Sequence, residues 1–121
     1  MSPVDVGAAG DFPADAMTIV KVGDAEIGIC RWGTEIFAIR SRCPHQAAPL
    51  CEGFLQTGLS AEFAAGELDV QADAGRPVIL CPWHRWEFSL RDGTSVVPGF
   101  RARTYPVRIE RGRVLVTIGR G

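Results

Sequence analysis

The feature that most constrains this chain is a pair of short motifs in which a cysteine and a histidine lie close together. The first is "CPH" at residues 43–45, and the second is "CPWH" at residues 81–84. The chain has only two histidines, so each one lies in a motif with a cysteine and a proline. A single histidine is ordinarily a packed or surface residue, but two such pairs in proline-stiffened loops indicate a metal site. The fold then has to bring two distant loops together.

The ligand set leaves two candidates for the metal. Two thiolates and two imidazoles suit a zinc ion, and they equally suit a two-iron, two-sulfide cluster with cysteines on one iron and histidines on the other. Common zinc fingers place two cysteines in one loop and two histidines on a following helix. Here each loop holds one residue of each kind, which a cluster spanning two irons explains. A zinc-binding structural module stays the alternative.

Composition excludes several classes of protein. The chain has 121 residues, of which 46% are hydrophobic and 22% charged, and these values predict a single globular domain over residues 1–121. Its net charge of −1 gives no general attraction to nucleic acid or membrane. The start, "MSPVDVGAAGDFPADAM", lacks the basic and apolar parts of a secretory signal. We therefore expect a cytoplasmic protein that has no nucleic acid or membrane partner and whose thiols stay reduced.

Alternating hydrophobicity predicts strands along most of the chain. In 25–32, Ile27 and Ile29 fall on one face, and Glu26, Gly28 and Cys30 fall on the other. Segment 35–39 is expected to form a hairpin pair with 17–22, with glycine turns at Gly23-Asp24 and Gly33-Thr34.

Two further strand regions follow near the carboxyl end. "WEFSL" (86–90) places its apolar residues on one face, and 105–118 predicts two strands around Arg111-Gly112, with Pro106 at an edge or strand start. The fold class is therefore all-β. The segment 58–68 is the one place where a short helix is considered.

At this point the motifs resemble a known family. Cys43-x-His45 and Cys81-x-x-His84 resemble the two-loop signature of Rieske [2Fe–2S] proteins, and "CPHQAAPL" and "CPWHRWEFSLRDG" are similar to its two loops. "RTYPVRIERGRVLV" is similar to the closing hairpin of Rieske ferredoxins from oxygenase systems. The resemblance covers about residues 17–118. It implies an antiparallel β-sandwich or barrel base with an inserted cluster-binding subdomain at about 42–91.

The resemblance also implies the site. One [2Fe–2S] cluster per chain is held by Cys43 and Cys81 on the inner iron and by His45 and His84 on the outer, solvent-near iron. Electrons then enter and leave at the histidine edge. Six further residues belong to the loops around the cluster: Gln46, Ala48, Pro49, Trp83, Arg85 and Trp86.

Several positions depart from the family pattern. Arg85 and Ala47 stand where glycine is usual. Ala48 and Trp83 occupy the positions of the disulfide that joins the loops in respiratory members, so we expect no disulfide there. Trp86 replaces a serine that raises the potential in those members, which predicts a low-potential centre. Cys30 and Cys51 are expected to be free buried thiols.

The spacing between the two motifs is longer than in common members. The surplus is assigned to an acidic insertion at about 56–77, with four acidic residues against Arg76. We interpret it as a solvated surface loop, and the functional alternative is a segment that docks a partner beside the cluster.

Elimination favours an electron carrier, not an enzyme. An oxygenase also needs a mononuclear iron with histidine ligands, and the cluster uses both histidines. No GxGxxG unit follows a strand, so the chain does not bind NAD or flavin as a reductase does. The resemblance implies a ferredoxin that takes electrons from a flavin reductase to a terminal oxygenase through transient docking at the histidine edge. A small subunit bound permanently in a larger oxidoreductase is the alternative.

Overall fold

Nearly all of the regular structure is β-strand, as the alternating sequence predicts. The computed structural model describes residues 3–42, 49–64, 66–82, 86–95 and 99–118, with the backbone alone over 57–64 and 67–76. Within these ranges the strands are β1 (Pro3–Ala8), β2 (Ala16–Val22), β3 (Ala25–Trp32), β4 (Glu35–Arg40), β5 (Phe54–Ala64), β6 (Glu67–Leu80), β7 (Glu87–Ser89), β8 (Thr104–Tyr105), β9 (Val107–Glu110) and β10 (Arg113–Thr117). Two short 3-10 helices cover Ala9–Asp11 and Leu50–Glu52.

The strands form three sheets. Their orders are β1-β10-β9, β2-β3-β4-β8 and β5-β6-β7. Each pairing between these strands is antiparallel. The predicted all-β class with antiparallel sheets is therefore confirmed.

Two hydrophobic cores lie on opposite faces of the four-stranded sheet. We call the first the base core, and it contains Phe12, Ile27, Ile29, Ala38, Tyr105, Val114 and Val116. We call the second the loop-side core, and it contains Cys30, Ile39, Leu50, Cys51, Ile79, Cys81, Phe88, Leu90 and Ala102. Successive residues of a strand point to opposite faces, so β3 and β4 supply both cores.

The predicted alternation of β3 is confirmed, but its second face is also covered. Ile27 and Ile29 are buried in the base core, and Cys30 is buried in the loop-side core. The predicted hairpin between 35–39 and 17–22 is wrong, because β3 lies between β2 and β4 and pairs with both. Gly23 (φ 61°) and Gly33 (φ 60°) make the two tight turns that fold β2, β3 and β4 into consecutive neighbours.

The carboxyl-terminal strands lie where the sequence predicted them. β9 and β10 pair around Arg111 (φ 51°) and Gly112 (φ 74°), and two consecutive positive φ angles are typical of a tight hairpin turn. Pro106 directly precedes β9, as expected. Phe88 and Leu90 are buried in the loop-side core and Trp86 packs against it, so the predicted shared face is confirmed.

The interpretation of 56–77 as a loop, and of 58–68 as a short helix, is wrong. These residues belong to the long antiparallel pair of β5 and β6, whose pairing extends to Ala64 and Glu67. Residues 74–76 of β6 fall at a shift in register between Thr57 and Gly58 of β5. Beyond that shift the hairpin continues as a two-stranded arm, over 58–64 and 67–73.

The register explains why the arm is a hairpin. Leu59 lies opposite Ala72, Ala61 opposite Val70, and Phe63 opposite Leu68. Residues directly opposite each other share a face of the sheet, so apolar positions match apolar positions at every second step. Glu62 lies opposite Asp69 on the other face. This period of two outweighs the helix-forming composition of the segment.

Candidate metal centre

The structure describes the two ends of each predicted cluster loop. Of the ten predicted site residues, Pro49, Cys81 and Trp86 lie within the described ranges. The remaining predictions, which fall outside the described residues, concern Cys43, His45, Gln46, Ala48, Trp83, His84 and Arg85. The first loop leaves β4 through Ser41 and Arg42 and ends at Pro49. The second loop connects β6 to β7.

The second loop starts from a buried cysteine. The Cys81 side chain is 0% exposed and lies in the loop-side core. The Cys81 backbone N–H donates a hydrogen bond to the Trp86 carbonyl oxygen at 2.9 Å. Leu80 then pairs with Glu87, and Ile79 pairs with Phe88. The loop is therefore a hairpin connection closed by a hydrogen bond at its base, and Cys81 is fixed at one side of that base.

The first loop is held by Ser41 and Cys51, two residues that the sequence did not single out for this role. The Ser41 N–H donates to the Glu26 carbonyl oxygen at 2.9 Å, which ties the start of the loop to β3. Past the far end of the loop, the Cys51 N–H donates to Ser41 Oγ at 3.2 Å. The Cys51 thiol donates to the Ile39 carbonyl oxygen, with an S···O distance of 3.7 Å. The serine directly before the loop was the only feature of the sequence that could have indicated this role.

A close backbone contact joins the two loops. Gly53 ends the 3-10 helix after the first loop, and its N–H donates to the Leu50 carbonyl oxygen at 3.0 Å. A Cβ atom on Gly53 would overlap the carbonyl oxygen of Leu80, the residue before Cys81. Glycine is therefore required there, because it lets the end of the first loop contact the start of the second.

The two other described cysteines are buried thiols with raised pKa values. Burial raises the pKa of the Cys51 thiol to about 11, although hydrogen bonds from Ser41 and the Gly28 backbone oppose the shift. Burial, together with the negative charges of Asp15 and Cys51, raises the pKa of Cys30 to about 12. Both thiols therefore stay protonated at neutral pH. Cys30, Cys51 and Cys81 are free of disulfides, as expected.

A groove of mixed charge borders the first loop. It has a volume of about 420 Å³ and is lined by Asp24, Ala25, Glu26, Arg40, Ser41, Arg42, Pro49 and Glu52. Three of the lining residues carry carboxylates and two carry guanidinium groups, so charges of both signs lie beside that end of the loop. Arg42, at the start of the first loop, is exposed at its rim.

The described residues fit an iron–sulfur cluster held by both loops. Cys81 is a buried free thiol at the base of one loop, and the Gly53–Leu80 contact brings the other loop beside it. Among the described residues, no group of three His, Cys, Asp or Glu side chains is arranged for a metal ion, and three of the four predicted ligands lie outside them. No helix in the described ranges is long and apolar enough to span a membrane.

Comparisons with known proteins agree with this arrangement. The sequence profile of the family described as Rieske [2Fe-2S] domain matches residues 2–106, a span that includes both Cys-His motifs. The chain is 29% identical over 114 residues to the ferredoxin component of the alkene monooxygenase system of Xanthobacter autotrophicus, covering 93% of this chain and 79% of that protein. It is 30% identical over 115 residues to the ferredoxin component of the naphthalene 1,2-dioxygenase/salicylate 5-hydroxylase systems of Ralstonia sp, covering 93% of this chain and 92% of that protein.

A solved structure supports the fold. It is the complex of reduced oxygenase and oxidized ferredoxin in carbazole 1,9a-dioxygenase, with a TM-score of 0.68 and 25% identity. The match covers 94% of this chain and 100% of the matched chain. The β-sheet framework is therefore shared over nearly the whole length of both chains.

Proposed function

Because the chain belongs to the Rieske [2Fe-2S] domain family, we propose that it transfers single electrons from a flavin reductase to a terminal, ring-hydroxylating type oxygenase. Members of the family carry one Rieske cluster, and the relatives named as ferredoxin components are electron carriers, not catalysts. The observation that carries the proposal is the histidine count. Both histidines lie in the cluster motifs, so none is left to hold a catalytic iron.

Four residues hold the cluster in this proposal. Cys43 and Cys81 bind the inner iron, and His45 and His84 bind the outer iron. When bound, the cluster supplies one-electron redox chemistry at a potential that its ligands and surroundings set. The buried position of Cys81 supports its assignment to the inner iron.

The relatives support the proposed electron acceptor. A relative of known structure is a ferredoxin in a complex with its oxygenase, which supports an oxygenase as the electron acceptor. The electron donor is a flavin reductase, and both proteins dock in turn at the histidine edge. Such docking needs a small, transient interface. Arg42 and Arg85, beside the two loops, steer the approach of acidic partner surfaces.

The proposed location is the cytoplasm. The described cysteines are free thiols, which suits a reducing compartment.

Analysis of the purified protein tests the proposal. We expect a red-brown protein with about equal iron and acid-labile sulfide and a reversible one-electron reduction. The potential should fall in the lower part of the roughly −150 to +300 mV range of Rieske centres. A colourless protein with one tightly bound zinc ion would overturn the proposal.

A substitution of His84 tests the ligand assignment. His84→Cys should keep a cluster but lower its potential, because a thiolate adds negative charge to it. Cys30→Ser is the matched control, since Cys30 is buried but is not a proposed ligand. The reduction potential of the cluster in this variant should stay unchanged. An unchanged potential in His84→Cys would show that His84 is not a ligand. Co-purification of a stable complex, in place of a monomer, would favour the permanent-subunit alternative.

A further inference from the structure

One residue fastens the first loop at both of its ends. Cys51 lies in the 3-10 helix that follows the loop, and its N–H bonds to Ser41 Oγ before the loop. Its thiol bonds to the carbonyl oxygen of Ile39, the neighbour of the last residue of β4. The chain between Ser41 and Leu50 therefore starts and ends at one point of the sheet. Residue 43, a proposed ligand, lies only two positions after Ser41.

The sheet has a gap shaped for the Cys51 side chain. Gly28 lies at the centre of β3, between Ile19 of β2 and Ile39 of β4. A Cβ atom on Gly28 would overlap Cys51 Sγ and Met17 Sδ and would lie 3.0 Å from Cys51 Cβ. Glycine in a strand interior commonly marks a close approach of another part of the chain. Here it lets the Cys51 thiol lie directly on the backbone of β3.

The segment that contains Cys51 also contacts the start of the second loop. Two residues after Cys51, Gly53 contacts the carbonyl oxygen of Leu80. Cys81 follows directly, and its N–H is bonded to Trp86. A continuous set of contacts therefore runs from Ile39 through Cys51 and Gly53 to the base of the second loop.

We propose that Cys51 is a positioning residue for the cluster, clamping the first loop to Ser41 and Ile39 over the gap at Gly28. This inference rests on the proposed function for its purpose, since the clamp sets the distance between the two pairs of ligands. Its contacts consist of protein atoms alone, so its existence is testable whether or not a cluster is bound.

Cys30 supplies a matched control. It is also a fully buried free thiol of the loop-side core, so replacing either cysteine with alanine removes the same atom from the same core. Cys30 lies in the middle of β3, where the flanking strands hold the backbone. Cys51 lies at the end of a loop. A general loss of packing would affect both variants alike, whereas loss of the clamp affects Cys51→Ala alone.

Amide hydrogen exchange measured by mass spectrometry on the purified full chain tests the clamp. Cys51→Ala should speed exchange in peptides covering 41–53 by about 5- to 10-fold, the effect of losing one or two hydrogen bonds that secure the segment. Ser41→Ala, which removes the acceptor for the Cys51 N–H and the hydrogen bond between Ser41 and the Cys51 thiol, should speed it by about 2- to 5-fold. It leaves the core intact and so decides the question if Cys51→Ala fails to fold. Cys51→Ser keeps a donor for Ile39 and should restore slow exchange.

The overturning results are distinct from failure of the proposed function. If Cys30→Ala speeds exchange over 41–53 as much as Cys51→Ala does, or if Ser41→Ala leaves it unchanged, Cys51 is a packing residue and not a clamp. The absorbance of the bound cluster during incubation with a chelator gives a second measurement, and we expect faster bleaching in Cys51→Ala than in Cys30→Ala. Absence of iron and sulfide from the parent protein overturns the proposed function, while the exchange result still decides the clamp.

Discussion

The two hydrophobic cores share the strands β3 and β4 but differ in composition. The base core consists of aliphatic and aromatic residues, all of which except Phe12 lie on strands of two sheets, β1-β10-β9 and β2-β3-β4-β8. The loop-side core contains all three described cysteines, and it is bounded by the 3-10 helix and by the bases of the two cluster loops. The base core therefore holds sheets to each other, whereas the loop-side core holds loops to a sheet.

This difference predicts that the base core mainly stabilises the fold, whereas the loop-side core also positions the cluster loops. Packing of Ile and Val between paired strands tolerates small shifts, since the strand hydrogen bonds keep the backbone in register. Loops have no such ladder, and their geometry depends on particular contacts such as those of Cys51 and Gly53. We therefore expect changes in the base core to alter unfolding alone, and changes in the loop-side core to alter cluster retention as well.

The largest expected effect comes from removing the biggest fully buried side chain of the loop-side core. Phe88→Ala should lower the free energy of unfolding by about 3–5 kcal/mol, because it deletes a ring that is 0% exposed. Ile29→Ala in the base core should cost about 2–5 kcal/mol. Urea unfolding of both variants measures these losses. At equal fractions of folded protein, only Phe88→Ala should lose iron faster, and equal rates of loss would remove the distinction between the cores.

A glycine substitution gives the next effect. Gly28→Ala should cost about 1–3 kcal/mol, because the added methyl group overlaps the sulfur atoms of Cys51 and Met17 and displaces both side chains. Gly10→Ala is the control, since a Cβ there meets no atom within 4 Å. Thermal unfolding of both variants, with absorbance of the cluster, separates the two sites. A Gly28→Ala protein as stable as Gly10→Ala would show that the close contact is unimportant.

Alkaline pH should weaken the loop-side core. The folded protein raises the pKa of Cys51 to about 11 and of Cys30 to about 12 from an ordinary value of 9.0, chiefly by burial. Their contribution to stability is therefore complete below pH 9 and is lost as the pH rises toward these raised values, by about 1.4 kcal/mol per pH unit for each thiol.

Urea unfolding at several pH values between about 8 and 10.5 measures this loss. The Cys30→Ala/Cys51→Ala double variant should show a shallower fall in stability than the parent protein. Identical slopes would mean that the two thiols do not titrate differently in the folded and unfolded states.

The smallest effects are expected at exposed ion pairs, one beside each core. Arg113 bonds to Asp5 between β10 and β1, and Arg91 bonds to Glu35 in a two-bonded pair with both N···O distances at 2.8 Å. The hydrogen bond from each arginine lowers the pKa of its carboxyl group. Each contribution is then present at neutral pH and lost as the pH falls through the lowered pKa.

Asp5→Asn and Glu35→Gln should each lower the melting temperature slightly at neutral pH, and the difference from the parent protein should vanish in acid. Neither variant should change the rate of iron loss, because both ion pairs are exposed and neither includes a proposed ligand. A marked loss of iron in Glu35→Gln alone would extend the positioning role of the loop-side region to its surface.

The sequence predicted the fold class and most strands, but not the contacts that depend on distant residues. Alternation identified both faces of β3, and paired glycines identified its turns. It did not reveal that β3 separates β2 from β4, because pairing order is decided by tertiary packing. The arm of β5 and β6 was missed because alanine, glutamate and leucine also favour helices.

The candidate site was predictable at the level of ligands and family, because Cys-His spacing is a local property. The roles of Ser41, Cys51, Gly28 and Gly53 were not, since each depends on a contact with a residue far away in the sequence. A single glycine in a strand or a serine before a loop can occur for many structural reasons, so neither residue indicates a particular contact. Their shared role becomes visible only in the structure, where β3 pairs with β4 and the 3-10 helix Leu50–Glu52 packs against them.

Pulsed EPR on reduced protein labelled with ¹⁵N-histidine tests the central claim most directly. The chain has only two histidines, so every histidine coupling comes from His45 or His84. The account predicts two ¹⁵N-histidine couplings to a two-iron, two-sulfide cluster in the parent protein, and one in His84→Cys. A cluster without histidine coupling, or two couplings that persist in His84→Cys, would contradict it.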